Sequence, residues 1–237
     1  AAHKVGEDGK VVGIDFAPQM IEIAKQAVNK SGFQQRDIEL CVADIGKSQL
    51  PTDFADAVIS NCVINLCPDK DAVYEEAFRV LRPGGRLAIS DIVLTNDIDS
   101  RLRERFQSTR AGCLGGAILE ESYWDTMKIA GFTEFQMVSR HTLTPMELKA
   151  MACCPGEQFT PPPNNEDLEI VQGKVDSIKY TAIKPHSAWI EVAFDAKLCP
   201  TPTVFPDAGI TDIGLSFIPI LQLRGNVKLS PGVHIFS

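Results

Sequence analysis

The sequence lacks the features that mark membrane-spanning, secreted and nucleic-acid-binding proteins. No uninterrupted apolar run of about 18 residues occurs in it, so we expect no membrane-spanning helix. The N-terminal AAHKVGEDGK has neither the apolar core nor the cleavage site of a signal peptide. Net charge is -8 and no dense basic run is present, which argues against a nucleic-acid partner. We therefore expect a cytoplasmic protein without nucleic-acid or membrane partners.

Cysteine is present seven times, but the spacing does not match the paired CxxC motifs of zinc sites. The odd number favours free thiols in a reducing compartment over a disulfide scaffold. The four histidines lie outside all the motifs described below. No internal repeat or low-complexity segment is visible. With 44% hydrophobic residues, the chain can bury one sizeable core and still have residues for an appendage.

Short apolar runs alternate with helical stripes through the first 140 residues. Strands are predicted over residues 10–14, 38–42, 57–59, 86–93 and 132–138. Helices are predicted over residues 18–31, 70–81, 98–110 and 120–130. A short helix over 146–152 and a strand over 177–183 follow. This alternation predicts an α/β fold with a parallel sheet and right-handed crossovers.

The stretch from residue 56 to residue 66 carries the most informative polar residues. Its apolar strand ends in Ser60, Asn61 and Cys62. Ligands of open α/β sheets bind outside the carboxyl ends of the strands, so Asn61 and Cys62 lie where chemistry is expected. The alternative is that Cys62 is a small buried hydrophobe without reactivity.

Two other strand ends carry acids. Asp15 follows the first strand, where a carboxylate can accept hydrogen bonds from ribose hydroxyls. The alternative is a helix N-terminal charge or a solvated loop acid. Asp44 and Ile45 follow the second strand and could contact the amino group and the ring face of an adenine. A turn-forming role explains Asp44 equally well.

A glycine-rich segment, AGCLGGA at residues 111–117, is expected to form a turn that exposes Cys113. The alternative is that these small residues only punctuate the chain between two helices.

At this point the motifs resemble those of a known family. SNCVINLCPDKDAVYEEAFRVLRPGGRLAISDIV, residues 60–93, resembles the arsenite S-adenosylmethionine methyltransferases. GIDFAPQMIEIA upstream and AGCLGGA downstream resemble the same family in the same order. LRPGGRL is shared by many methyltransferases, whereas NCVINL together with GCLGGA is more specific. The resemblance covers residues 5–140 well and residues 141–185 weakly.

The resemblance implies a seven-stranded, Rossmann-like class I methyltransferase sheet. It implies a partial S-adenosylmethionine-dependent methyltransferase domain over residues 1–140 and a C-terminal substrate-site module over 141–185. Residues 186–237 remain an unassigned tail. The chain begins just before the family's second strand, so the first strand, its glycine-rich loop and two upstream cysteines are expected to be missing. The second and fourth strands of the family would then lack their shared neighbour, and cofactor binding would be poor.

The resemblance also assigns roles for the cofactor S-adenosyl-L-methionine. Asp15 would hold the ribose, Met20 would pack near the cofactor, Asp44 and Ile45 would flank the adenine, and Asn61 would approach the amino-acid part.

Cys62 and Cys113 match two arsenic-binding cysteines of the family and would carry the reaction. Trivalent arsenic prefers sulfur, and its lone pair can accept the methyl group if the protein supplies proximity and orientation. The implied activity is arsenite methylation, a detoxification, with arsenic arriving as a thiol adduct and a thiol reductant as a second partner. Cys153 and Cys154 are either further arsenic ligands or ordinary loop thiols.

Two other functions stay open. One is a methyltransferase for a small organic molecule, such as a quinone precursor or a sterol, which would not need Cys62 and Cys113. The other is a non-catalytic thiol protein that sequesters arsenite.

Overall fold

A seven-stranded mixed sheet forms the centre of the fold. The computed structural model describes residues 1–107, 112–152, 164–186 and 233–236. Its strands are β1 (Lys10–Asp15), β2 (Asp37–Val42), β3 (Ala55–Asn61), β4 (Leu81–Leu94), β5 (Thr133–Thr142), β6 (Val175–Ile183) and β7 (Val233–Phe236). They lie in the order β2-β1-β7-β3-β4-β6-β5.

The strands β2, β1, β7, β3 and β4 are parallel to one another, whereas β6 pairs antiparallel with both β4 and β5. The expected parallel sheet is therefore found in β2, β1, β7, β3 and β4, whereas β6 is antiparallel to its neighbours. That strand is inserted between β4 and β5, and its own alternation of side chains does not encode its direction. The expected seven-stranded sheet is confirmed.

Helices cover the sheet where the sequence predicts them, with some additions. They are α1 (Pro18–Lys30), α2 (Lys70–Val80), α3 (Ser100–Gln107), α4 (Gly112–Gly115), α5 (Glu120–Ile129), α6 (Pro145–Ala152) and α7 (Asn165–Val171). Pro18 starts α1 at a position that tolerates proline, and the Asp69 side chain caps α2 by accepting a 2.9 Å bond from the Ala72 N–H. The sequence did not reveal α4, α7 or the 3-10 turn Ile64–Leu66.

The strand β4 begins five residues before the predicted residue 86, so the segment Pro83-Gly84-Gly85 lies inside it. The helix α2 ends at Val80, so this segment follows it as part of β4 rather than as a separate turn. The pairing of β3 with β4 shifts register between Ala55 and Ala57, and Gly84 has a φ of 79°. Only glycine adopts that left-handed conformation without a steric cost, which explains the residue type.

The strand β7 lies between β1 and β3 and pairs in parallel with both. Ile235 is opposite Val12 on one side and Val58 on the other. The strands β1 and β3 correspond to the family's second and fourth strands, which are expected to lack a shared neighbour. That expectation is wrong, because β7, near the other end of the sequence, supplies the hydrogen-bonding partners that both strands require.

Buried apolar residues form two clusters, and the second contains the elements that carry part of the candidate site. The main core packs the sheet against α2 and α5. The second core is built from β4, α3, α4, α6 and α7 and includes Ile92, Leu102, Phe106, Leu114, Leu148 and Val171. All described residues belong to one compact unit, Ala1–Ser187 with Pro231–Ser237. Among the helices described, none has the length and apolarity needed to cross a bilayer.

Candidate functional site

The parallel strands β1, β2 and β3 end at the same edge of the sheet, and this edge carries the residues expected to bind the cofactor. Asp15 is half-buried, and its Oδ1 accepts a 2.8 Å hydrogen bond from the Ala17 N–H at the start of α1. Met20 on α1 is 50% exposed and lines, with Asp15, a groove of about 520 Å³. Asn61 is exposed as the last residue of β3.

Asp44 and Ile45, which follow β2, lie in a turn and against the main core respectively. Asp44 is exposed, and its Oδ1 accepts a 2.8 Å bond from the Gly46 N–H, so it forms the tight turn given as the alternative. Ile45 is half-buried and packs against the main core. A carboxylate, an amide and apolar side chains at one edge still form a chemical set that fits a nucleoside carrying an amino-acid arm.

Cys62 has an unusual backbone conformation. Its φ is 58°, in the left-handed region, which costs a residue with a Cβ about 1–2 kcal/mol. Its N–H donates a 2.8 Å hydrogen bond to the Ser90 carbonyl of β4. Strain of this kind persists only where the surrounding structure enforces it, and such positions cluster at functional sites.

Cys113 lies on α4 and contacts Cys62. It is half-buried rather than exposed as expected, because Leu114 beside it is fully buried in the second core. The two thiols are close enough for each to shift the pKa of the other. The structure thus brings together two thiols that lie on separate elements.

The interaction between the two thiols shifts their pKa values in opposite directions. The hydrogen bond from Cys62 lowers the pKa of Cys113 against the opposing effect of burial. The same bond, followed by burial, raises the pKa of Cys62. The pair therefore releases its first proton below the ordinary pKa of a thiol and its second proton above it.

Asp91 is a buried acid near this pair. It is 1% exposed, and its carboxylate accepts hydrogen bonds from Asn65 Nδ2 at 2.9 Å, the Ile92 N–H at 2.9 Å and the Tyr123 hydroxyl at 2.7 Å. Burial raises the pKa of Asp91 despite these donors. Its negative charge adds to the causes that raise the pKa of Cys62. The sequence showed Asp91 as an acid within an apolar strand, which is the signal that could have singled it out.

Tyr123, which donates to Asp91, belongs to a cluster of three buried tyrosines. The Tyr123 ring packs edge to face on Tyr74 and on Tyr180, with centroids 5.8 Å apart in each pair. The hydroxyls of Tyr74 and Tyr180 are 2.7 Å apart and share a hydrogen bond. Burial raises the pKa of each hydroxyl, so the cluster is neutral and rigid.

Two further cysteines lie among the residues that the structure describes. Cys41 and Cys67 are half-buried free thiols. Cys153 and Cys154, the proposed further ligands, lie outside the described residues. In the part of the chain that the structure describes, no group of three or more His, Cys, Asp and Glu side chains is arranged to hold a metal ion.

Comparisons with known proteins agree with the motifs. A family model described as a methyltransferase domain matches residues 1–141. The arsenite methyltransferase of Halobacterium salinarum is 36% identical over 144 residues, which are 61% of this chain and 36% of the relative. The human arsenite methyltransferase is 33% identical over 151 residues, 59% of this chain and 39% of the relative.

Among solved structures, this fold is similar to an arsenic (III) S-adenosylmethionine methyltransferase from Chlamydomonas reinhardtii. The two share 27% identity and a TM-score of 0.62, and the match covers 78% of this chain and 58% of the other. The family resemblance and the expected cofactor, S-adenosyl-L-methionine, are thereby confirmed. The chain spans less than half the length of the two curated relatives.

Proposed function

Because the chain belongs to the methyltransferase-domain family, we propose that it transfers a methyl group from S-adenosyl-L-methionine to trivalent arsenic held by Cys62 and Cys113. The observation that carries this proposal is that the fold brings the two thiols close enough to shift each other's pKa. Gly116, just after α4, packs on the backbone of Asn65, just after Cys62. Two thiols in contact form the soft donor pair that trivalent arsenic prefers. The names of the curated relatives, arsenite methyltransferases, support the same substrate.

The cofactor would lie at the carboxyl edge of β1, β2 and β3. Asp15 would hold the ribose and Asn61 the amino-acid arm, while Met20, Asp44 and Ile45 would surround the purine side. When bound, S-adenosyl-L-methionine supplies a methyl group activated by its sulfonium. The residues of this edge supply only binding and orientation.

The two cysteines would bind arsenite by ligand exchange. Each As–S bond replaces an As–O bond, and each thiol proton leaves with a hydroxide as water. The exchange therefore needs no net base, so the raised pKa of Cys62 does not prevent it. Held by two As–S bonds, the arsenic keeps its lone pair, and the fixed cysteines orient it for methyl transfer.

The elements after residue 140 would serve the substrate side of the site. Leu148 of α6 and Val171 of α7 are fully buried in the same core as Leu114, the neighbour of Cys113. A methyltransferase domain over residues 1–140 and a substrate-site module over residues 141–185 would then form one compact unit, with β6 of the module lying inside the sheet. A thiol reductant would complete the reaction, and a reducing compartment such as the cytoplasm suits free thiols.

The experiment measures methyl transfer from labelled S-adenosyl-L-methionine to arsenite in the presence of glutathione. Cys62→Ser and Cys113→Ser are each expected to lower the rate by about a hundredfold, because one As–S bond no longer fixes the arsenic. Cys41→Ser is the matched control, since Cys41 is a half-buried thiol on the edge strand β2. Wild-type rates in both site variants would overturn the proposal.

Measurements of arsenite binding and of thermal melting, made beside this assay, separate the two other functions. Arsenite binding without methyl transfer would indicate a sequestering thiol protein. A thermal shift with S-adenosyl-L-methionine but no arsenite binding would indicate a small organic substrate. A clear thermal shift would also contradict the expectation that this chain binds the cofactor poorly.

A further inference from the structure

We propose that Asn65 is a positioning residue that sets the spacing of Cys62 and Cys113 by locking the turn after Cys62 against Gly116. The reason for a fixed spacing rests on the proposed function, because two thiols must reach one arsenic atom. The spacing itself can be measured without arsenic.

The contact between Asn65 and Gly116 leaves no room for a side chain. A Cβ at Gly116 would lie 1.8 Å from the Asn65 carbonyl oxygen and 2.9 Å from its carbonyl carbon. Both atoms belong to the backbone, so a rotamer change cannot relieve the clash. Either the turn Ile64–Leu66 or the segment after α4 would have to move.

Hydrogen bonds from Asn65 and from Cys62 connect the turn and the segment just before it in the chain to β4. Asn65 is 3% exposed, and its Nδ2 donates to Asp91 Oδ1 at 2.9 Å and to the Ile92 carbonyl at 2.6 Å. The Cys62 N–H donates to the Ser90 carbonyl at 2.8 Å. Residues 62–65 are therefore held on three consecutive residues of one central strand.

The segment that carries Cys113 is held in place by buried side chains and by a backbone hydrogen bond to β4. Leu114 and Ala117 are both fully buried, and the Ile118 carbonyl accepts a 2.9 Å hydrogen bond from the Leu94 N–H. Because both segments are fixed to the body of the protein, their contact at Asn65 and Gly116 sets the distance between the thiols. Bidentate binding depends on that distance far more than binding by either thiol alone.

The test measures the spacing with dibromobimane, which fluoresces strongly when it bridges two thiols. The full chain is used, with every cysteine except Cys62 and Cys113 replaced by serine. Gly116→Ala and Asn65→Ala are expected to slow the bridging reaction at least about tenfold, while both thiols can still be fully alkylated by iodoacetamide. Gly46→Ala is the control, because a Cβ there would be 3.4 Å from its nearest neighbours, an ordinary contact.

Wild-type bridging in a folded Gly116→Ala or Asn65→Ala variant would overturn the proposal. If Gly116→Ala melts without a cooperative transition, Asn65→Ala decides, since it removes atoms and adds none. Asn65→Ser, which keeps one donor, is expected to recover part of the bridging rate. Normal bridging in the parent protein combined with no binding of phenylarsine oxide would instead show that the proposed function has failed.

Discussion

The hydroxyl of Tyr123 donates a 2.7 Å hydrogen bond to Oδ2 of Asp91, and both side chains are almost completely buried. This bond joins α5 to β4 next to Ser90 and Ile92, the residues that hold Cys62 and Asn65. The candidate site therefore depends on a buried polar network as well as on apolar packing.

Removal of the bond between Tyr123 and Asp91 is expected to destabilise the protein more than removal of the bond between Tyr74 and Tyr180. Tyr123→Phe takes a donor from a buried carboxylate and should lower the free energy of unfolding by about 1.5–3 kcal/mol. Tyr180→Phe removes a bond between two neutral hydroxyls and should cost about 0.5–1.5 kcal/mol. Urea unfolding of both variants checks the order, and a smaller loss for Tyr123→Phe would contradict it.

Asp91 should make stability depend on pH with a definite sign. Burial raises its pKa in the folded state, so the folded protein binds this proton more tightly than the unfolded chain. Its contribution is therefore greatest below the unfolded pKa of about 3.9 and is lost as pH rises through the folded pKa.

Asp91→Asn removes this titration. We compare the free energy of unfolding of the wild type with that of the variant. The difference, wild type minus variant, should fall as pH rises from about 4 to about 7. Urea unfolding at several pH values measures it. A difference that grows with pH would show that the folded pKa of Asp91 is lowered.

Cys113 should be the more reactive thiol. The hydrogen bond from Cys62 lowers the pKa of Cys113, and the thiolate is the form that reacts with iodoacetamide. Cys62→Ala removes that donor, so the midpoint of the pH–rate profile for Cys113 should move to higher pH. Peptide mass spectrometry can follow each site separately. Faster labelling of Cys62 than of Cys113 at neutral pH would be inconsistent with this arrangement.

The strand β7 should be needed for the stability of the sheet. Ile235→Pro removes a backbone donor between β1 and β3 and should lower the free energy of unfolding by about 1–3 kcal/mol, with faster amide exchange in both neighbouring strands. Ile235→Val keeps a β-branched residue and serves as the control. Equal melting temperatures for the two variants would show that β7 does not pair at this position.

Much of the fold follows from local patterns in the sequence. The apolar run before Asp15, the proline at residue 18 and the alternation before Val42 each produced the expected element. The position of β7 could not be predicted, because four residues carry too weak a pattern and their place depends on the partners that β1 and β3 offer.

The candidate site was predictable only in part. The residues alone placed Asn61 and Cys62 at a strand end, while the pairing of Cys62 with Cys113 came from the family resemblance. The contact of Asn65 with Gly116 and the three donors on Asp91 join residues far apart in sequence. Such contacts depend on tertiary packing, which periodicity does not encode.

The most direct test of the central claim is a titration with phenylarsine oxide, whose arsenic exchanges its oxygen for two thiols. The protein would retain only Cys62 and Cys113, and the free thiols would be counted as arsenic is added. We predict that two thiols disappear for each arsenic bound and that Cys62→Ser or Cys113→Ser weakens binding about a hundredfold. Unchanged binding in either variant, or the loss of one thiol per arsenic, would contradict the claim that these two cysteines hold the substrate together.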